Sequence, residues 1–402
     1  MHRVAITGLG CISALGQDVA STWESLAAGR PGLAEITLVQ PERLNAKLVG
    51  EVKGFVPERH FNDRQNTMLD RFSQFVVVAA REAAKDAGLV LPGEAPRRIA
   101  VVTGIGLGGM TTFDEGFERL YARNTPRAHP LTIPRLMASA GASQISMDLG
   151  ITGPAFAVTS ACASSNHALG EAYWMVKSGR VEMALAGGSE ACITYGSMRA
   201  WEALRVLAPD ACRPFSKERK GMVLGEGGGI VVLENWERAK ARGARIYAEF
   251  AGFGMSADAG DIVQPSADGA AAAMMDALSD SGLAPEQVGY INAHGTGTQI
   301  NDVIETKALR IAFGAHAEKL AISSTKSMHG HVLGGAGAIE MVALVKSVEQ
   351  GILPPTANFL TPDPTCDLDY LPNQARRQEV EAGLSNSFAF GGLNAVVAVK
   401  RV

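Results

Sequence analysis

The sequence predicts an α/β fold built as two related halves around buried sheets. Short β-rich runs alternate with helical patterns along the whole 402 residues. Three segments recur later in the chain, in the same order. Hydrophobic residues make up 47% and charged residues 19%, the balance of a chain that buries a large core.

Taken in order, the predicted strands are RVAIT, RIAVVTG, AFAVTS, EMALAGG, GIVVLE, YAEFAGFG, YINAHG, LAISST and NAVVAVKRV. Their apolar runs are nearly continuous, as in sheets covered on both faces. MLDRFSQFVVVAAREAAKDAG carries its apolar residues on one helical face and stops at Gly88, and GAAAAMMDALSDSG is a second clear helix. VAITGLGCIS near the start is echoed by AEFAGFGMS, HALGEAYWMVKSG by HVLGGAGAIEMVALVKS, and GEGGGIVVLE by FGGLNAVVAVK. The echoes predict an N-terminal half over residues 1–245 and a C-terminal half over 246–402. The first half is longer, and its surplus at 20–75 and 107–150 is expected to cover a site or build a subunit interface.

Composition excludes several classes. A formal net charge of −4 gives no general attraction to nucleic acid or anionic lipid. Five scattered cysteines without a CxxC fit a reducing cytoplasm. The N-terminal VAITGLGCISALG imitates a signal sequence, but its glycines read better as strand and turn. No run approaches a membrane span.

Chemistry gathers at three segments. VTSACASSNHALG puts Cys162 where a strand passes into a helix, and free N–H groups at a helix start favour thiolate over thiol. Those N–H groups can also hold the oxyanion of an acyl intermediate. A buried inert cysteine is the alternative reading, and Cys11, Cys192, Cys212 and Cys366, which lack that setting, are read as structural. YINAHGTGT places His294 at a strand end, and SSTKSMHGHVLGG places Lys326, His329 and His331 between a strand and a helix. Pseudo-symmetry would bring these strand ends to one site. A thiolate accepts an acyl chain as a thioester, and two neutral imidazoles can stabilise an enolate. Loss of CO₂ from a malonyl group supplies that enolate, so the expected reaction is a decarboxylative Claisen condensation. The pair His329/His331 has no further ligand spacing for zinc, and TGIGLGGM lacks the last glycine and acidic partner of a dinucleotide site. No metal is expected.

TSACASS, NAHGTGT, STKSMHGH and NSFAFGG resemble, in order and spacing, the β-ketoacyl-[acyl-carrier-protein] synthases, chiefly the elongating synthase II type. The resemblance implies a thiolase fold, a duplicated five-layered αβαβα arrangement that normally forms a homodimer. It implies Cys162 as the acylated nucleophile, His294 and His331 as the decarboxylating pair, Lys326 as the supporting lysine and Glu340 as a charge partner. Phe390, with Phe388 nearby, would be the gate, and the N–H groups of Phe390 and Cys162 the oxyanion hole. Thr296 and Thr298 would bind the pantetheine arm, and Ile105 would set acyl-pocket depth. No resident cofactor is implied; phosphopantetheine arrives on an acidic acyl carrier protein, docked by Arg64, Arg127 and Arg205. Thr67 and Met68 stand where basic residues are usual, which points to a dedicated carrier. His329 and Leu393 each replace a usual threonine near the active-site loops. WEALRVLAPDACRPFSKERKGMVLGEG and HGTGTQIND are similar to the rhizobial nodulation protein E type, a subgroup for specialised acyl chains. A non-catalytic chain-length partner and a CoA-dependent thiolase or acyltransferase are the competing readings. The first usually lacks the cysteine and the second uses another cysteine as base. A heterodimer with a related subunit remains open beside the homodimer.

Overall fold

A computed structural model describes residues 1–91 and 95–402. Ten strands form its main sheet system: β1 (Val4–Ser13), β2 (Ile99–Gly104), β3 (Ala155–Val158), β4 (Met183–Glu190), β5 (Gly227–Asn235), β6 (Ala248–Ala257), β7 (Val288–Asn292), β8 (Ala321–Ser323), β9 (Ala382–Ala389) and β10 (Leu393–Lys400). Their order in space is β3-β2-β4-β5-β1-β6-β10-β9-β7-β8. The order is a mirror of itself about the β1–β6 junction. Each half has two parallel pairs at its outer end and two antiparallel pairs toward the centre. Only three residue pairs, Val4–Phe250, Ala5–Glu249 and Ile6–Ala248, join the halves edge to edge.

Six helices complete the layers: α1 (Arg71–Asp86), α2 (Ala140–Leu149), α3 (Ser164–Lys177), α4 (Ala267–Ser281), α5 (Gln299–Phe313) and α6 (Ala336–Gln350). α1 and α2 cover one outer face, α4 and α5 the other, and α3 and α6 lie between the sheets. These are the five layers expected. The central position explains α6, whose residues 336–348 are all buried; a helix apolar on every side has to be enclosed. Three hydrophobic clusters fill the gaps. One is central, around Leu169, Tyr173 and Ile339; one lies under α1, around Phe72 and Phe75; one lies under α4 and α5, around Met274 and Leu309.

The recurring segments fall on equivalent elements: β1 and β6, α3 and α6, β5 and β10. The glycines of the first echo have a steric reason. A Cβ on Gly10 would sit 1.9 Å from the Ala79 carbonyl oxygen of α1, and one on Gly254 2.2 Å from that of Ala273 in α4. Each helix therefore rests directly on strand backbone. Nine strands coincide with the predicted runs. β9 escapes that pattern because it carries Ser385, Asn386 and Ser387 in place of branched apolar residues, although all three are buried. Among the described residues no helix is long and apolar enough to cross a membrane.

Candidate active site

The ends of β3, β7, β8 and β9 open on one cavity of about 520 Å³. Cys162, His294, His331, Phe388, Phe390, Thr296, Thr298 and Arg205 all line it. Residues separated by more than a hundred positions thus face one space, because the mirrored halves direct their strand ends to the same place.

Cys162 lies in the 3₁₀ turn Ala161–Ala163, just before α3, with Ala161 in the left-handed region at φ +50°. Its side chain is buried, and that burial pushes the thiol up to about 11. Lys326 and the N–H groups of Phe390 and Cys162 pull the other way, while Glu190 adds to the rise. Desolvation therefore opposes the thiolate that the helix start, Lys326 and these N–H groups favour.

The two histidine rings are 5.4 Å apart and nearly perpendicular. Burial holds both well below the ordinary histidine range, helped by Lys326, so both are neutral. Leu333 N–H donates to His331 Nδ1 at 3.1 Å, which leaves the proton on Nε2. His294 is fixed through its backbone: Glu305 accepts the N–H of His294 at 2.8 Å and of Gly295 at 2.7 Å. Lys326 is fully buried and pairs with Glu340 at 2.5 Å. Burial raises the Glu340 carboxyl, and Lys326 opposes that shift.

Thr296 and Thr298 stand side by side on the wall, their hydroxyls 2.9 Å apart. Phe388 packs 5.9 Å from the His294 ring, and Phe390 stacks on Trp201. Other placements differ from expectation. Ile105 does not line this cavity; it is buried in the cluster under α1, where its carbonyl accepts Ser164 Oγ. Arg205 is on the cavity wall with Lys220, but Arg64 and Arg127 are exposed elsewhere. His329 is buried behind the site, its Nε2 3.0 Å from Thr325 Oγ1, and Leu393 is half-buried at the start of β10. All five cysteines are free and buried. Among the described residues no group of three or more His, Cys, Asp or Glu is placed to hold a metal.

Three buried carboxylates escaped sequence reasoning. Glu190 accepts the N–H of Gly106 at 2.7 Å and of Gly334 at 3.2 Å, joining a loop of one half to the His331 turn of the other. Asp302 accepts the N–H of Phe215 and Gly297, and Glu305 holds the His294 turn. Burial pushes them up to about 7, 6 and 7 respectively. The signal available was Asp302 and Glu305 one helical turn apart, directly after a Gly-Thr-rich loop.

Two family models cover most of the chain: Beta-ketoacyl synthase, N-terminal domain, over residues 1–239, and Beta-ketoacyl synthase, C-terminal domain, over residues 247–360. Nodulation protein E of Rhizobium sp. (strain N33) is 47% identical over 401 residues, covering 100% of both chains. The 3-oxoacyl-[acyl-carrier-protein] synthase 2 of Staphylococcus aureus (strain N315) is 42% identical, covering 99% of this chain and 98% of its own. Among solved structures, the ishigamide ketosynthase/chain length factor matches with a TM-score of 0.95 at 37% identity, over 100% of this chain and 99% of that one. A type II PKS acyl-carrier protein in complex with its ketosynthase matches with a TM-score of 0.90 at 32% identity, over 100% of both chains. With both halves matched and relatives aligned end to end, the chain belongs to the β-ketoacyl synthase family.

Proposed function

We propose that Cys162, His294 and His331 carry out the family's condensation, with an acyl chain held on Cys162 and a malonyl group as the extender. The observation that carries this reading is their convergence on one cavity; the N–H groups of Phe390 and Cys162 serve as the oxyanion hole for the acyl oxygen. In the first step Cys162 Sγ bonds to the acyl carbonyl, the carbon–sulfur bond to pantetheine breaks, and the thiol proton leaves with the pantetheine sulfur. The proton is thus relocated from Cys162 to pantetheine with no net gain or loss, and the attacking species is the thiolate. In the second step the malonyl carboxylate departs as CO₂, and its electron pair passes to the thioester oxygen as an enolate. His331 Nε2–H and the neutral His294 donate to that oxygen, while Lys326 keeps both rings neutral. The enolate carbon then attacks the Cys162 thioester, a carbon–carbon bond forms, and the released sulfur takes one proton from solvent.

Phosphopantetheine reaches the cavity on an acyl carrier protein, with Thr296 and Thr298 along the arm, Phe388 and Phe390 as gate, and Arg205 at the mouth. Arg64 and Arg127 stay in this reading as exposed cations for an acidic carrier. Arg64 has Thr67 and Met68 beside it, which favours a dedicated carrier and a specialised acyl chain. Ile105 acts on pocket depth from behind the wall. The chain divides at residue 245 and works as a homodimer in the cytoplasm; its free buried cysteines favour that compartment. Retention of Cys162 and both histidines distinguishes it from a non-catalytic partner.

The test is direct. Cys162→Ala should form no ketoacyl product from malonyl- and acyl-loaded carrier protein, yet still release CO₂ from the malonyl form. His331→Ala should slow that release by about two powers of ten. Condensation by Cys162→Ala, measured by mass spectrometry of the carrier, would overturn the assignment.

A further inference from the structure

The turn that follows Cys162 in α3 is tied to the other half of the molecule by residues given no role above. Ser165 Oγ donates to the Gly334 carbonyl at 2.5 Å, in the turn that leads from His331 into α6. Asn166 is fully buried, and its Nδ2 donates to two carbonyls, Ser385 at 3.1 Å and Ala395 at 3.2 Å. Those carbonyls belong to β9 and β10, the hairpin whose connection carries Phe390. The Asn166 Oδ1 atom has no hydrogen-bond partner, and α6 reaches it only because residue 337 is glycine: a Cβ there would lie 2.4 Å away. One side chain, a single helical turn past the nucleophile, therefore contacts the hairpin bearing one oxyanion-hole donor and the helix that follows His331.

Its geometry has a chemical consequence. Cys162 and Phe390 lie on different halves, so the distance between the sulfur and the Phe390 N–H depends on contacts between the halves, those across the central layer among them. Asn166 is the amide that spans it nearest the nucleophile. A leucine has the same branching, though it is bulkier, and leaves two buried carbonyls without this donor. We propose that Asn166 is a positioning residue for Cys162, holding the nucleophile's helix in register with the Phe390 hairpin so that acyl transfer, rather than decarboxylation, depends on it. The proposal rests on the assignment of Cys162 as the acylated residue.

Asn166→Leu tests it, and Asn166→Ser, which keeps one donor, serves if the first variant does not fold. Acyl transfer to Cys162 is followed by intact mass, malonyl decarboxylation by CO₂ release, and thiol reactivity by iodoacetamide alkylation across pH. The expected result is acyl transfer about tenfold slower with KM for the acyl carrier unchanged, and decarboxylation within about twofold of the parent. Alkylation should also move to higher pH, because losing the Phe390 N–H removes a group that favours the thiolate. Equal losses in both reactions, or an unmoved alkylation profile, would overturn the proposal. The alkylation arm needs no acyl substrate, so it reads Asn166 even if wild-type Cys162 proves unacylated, a result that would instead sink the functional assignment.

Discussion

At the scale of single residues, burial is the largest influence on Cys162, His294 and His331. It raises the Cys162 thiol and holds His294 and His331 well below the ordinary histidine range. The depth of burial that sets these shifts is invisible in a motif. His329 extends the pattern. Burial and Lys326 push it down to about 3. Between that value and the ordinary 6.5 the unfolded chain binds a proton at residue 329 and the folded chain does not. Stability from this group is therefore complete above 6.5 and falls as pH drops. His329→Thr should accordingly lose less Tm than the parent between about pH 7 and pH 5. Parallel melting curves for the two proteins would refute this.

At the scale of elements, close approach between helix and strand sets the tolerance to change. Gly10→Ala would drive a methyl into the α1 backbone, and neither partner is a flexible side chain. Its cost should be about 3 kcal/mol or more. Gly88 is a useful contrast, since it caps α1 with φ +65° and has open space around it. Gly88→Ala should cost only about 1 kcal/mol, through backbone strain alone. Urea unfolding of both variants checks the ranking. The echoed G-x-G pattern was legible in sequence, but its cause was not, because the carbonyls that demand glycine come from helices about seventy and twenty residues away in the chain.

At the scale of the whole molecule, one edge is unfinished. β3 ends the N-terminal half of the sheet with Ala155 and Phe156 exposed, although its neighbours are buried. Nearby in sequence, the 107–150 excursion exposes Leu107, Phe113, Phe117, Tyr121, Ile133 and Met137. An open strand edge and a set of exposed large apolar side chains are features that a subunit interface would cover. Sedimentation should give twice the chain mass for the parent, and the triple variant Phe117→Glu, Tyr121→Glu, Phe156→Lys should be a monomer. A parent that sediments as a monomer would remove the interface and the homodimer with it.

Nine strands, the echoed segments and the cysteine and histidines that share the cavity could be read from the chain alone, because periodicity and motif spacing are local properties. β9 was hidden by its polar residues, and nothing in the chain marks the carboxylates Glu190, Asp302 and Glu305 as buried. Only the tertiary structure decided that they face inward onto backbone N–H groups, that Arg64 and Arg127 stand away from the cavity, and that Asn166 links the halves. Each of these depends on which distant segment lies opposite, and solvent exclusion at that meeting sets the strength and the protonation of what is found there.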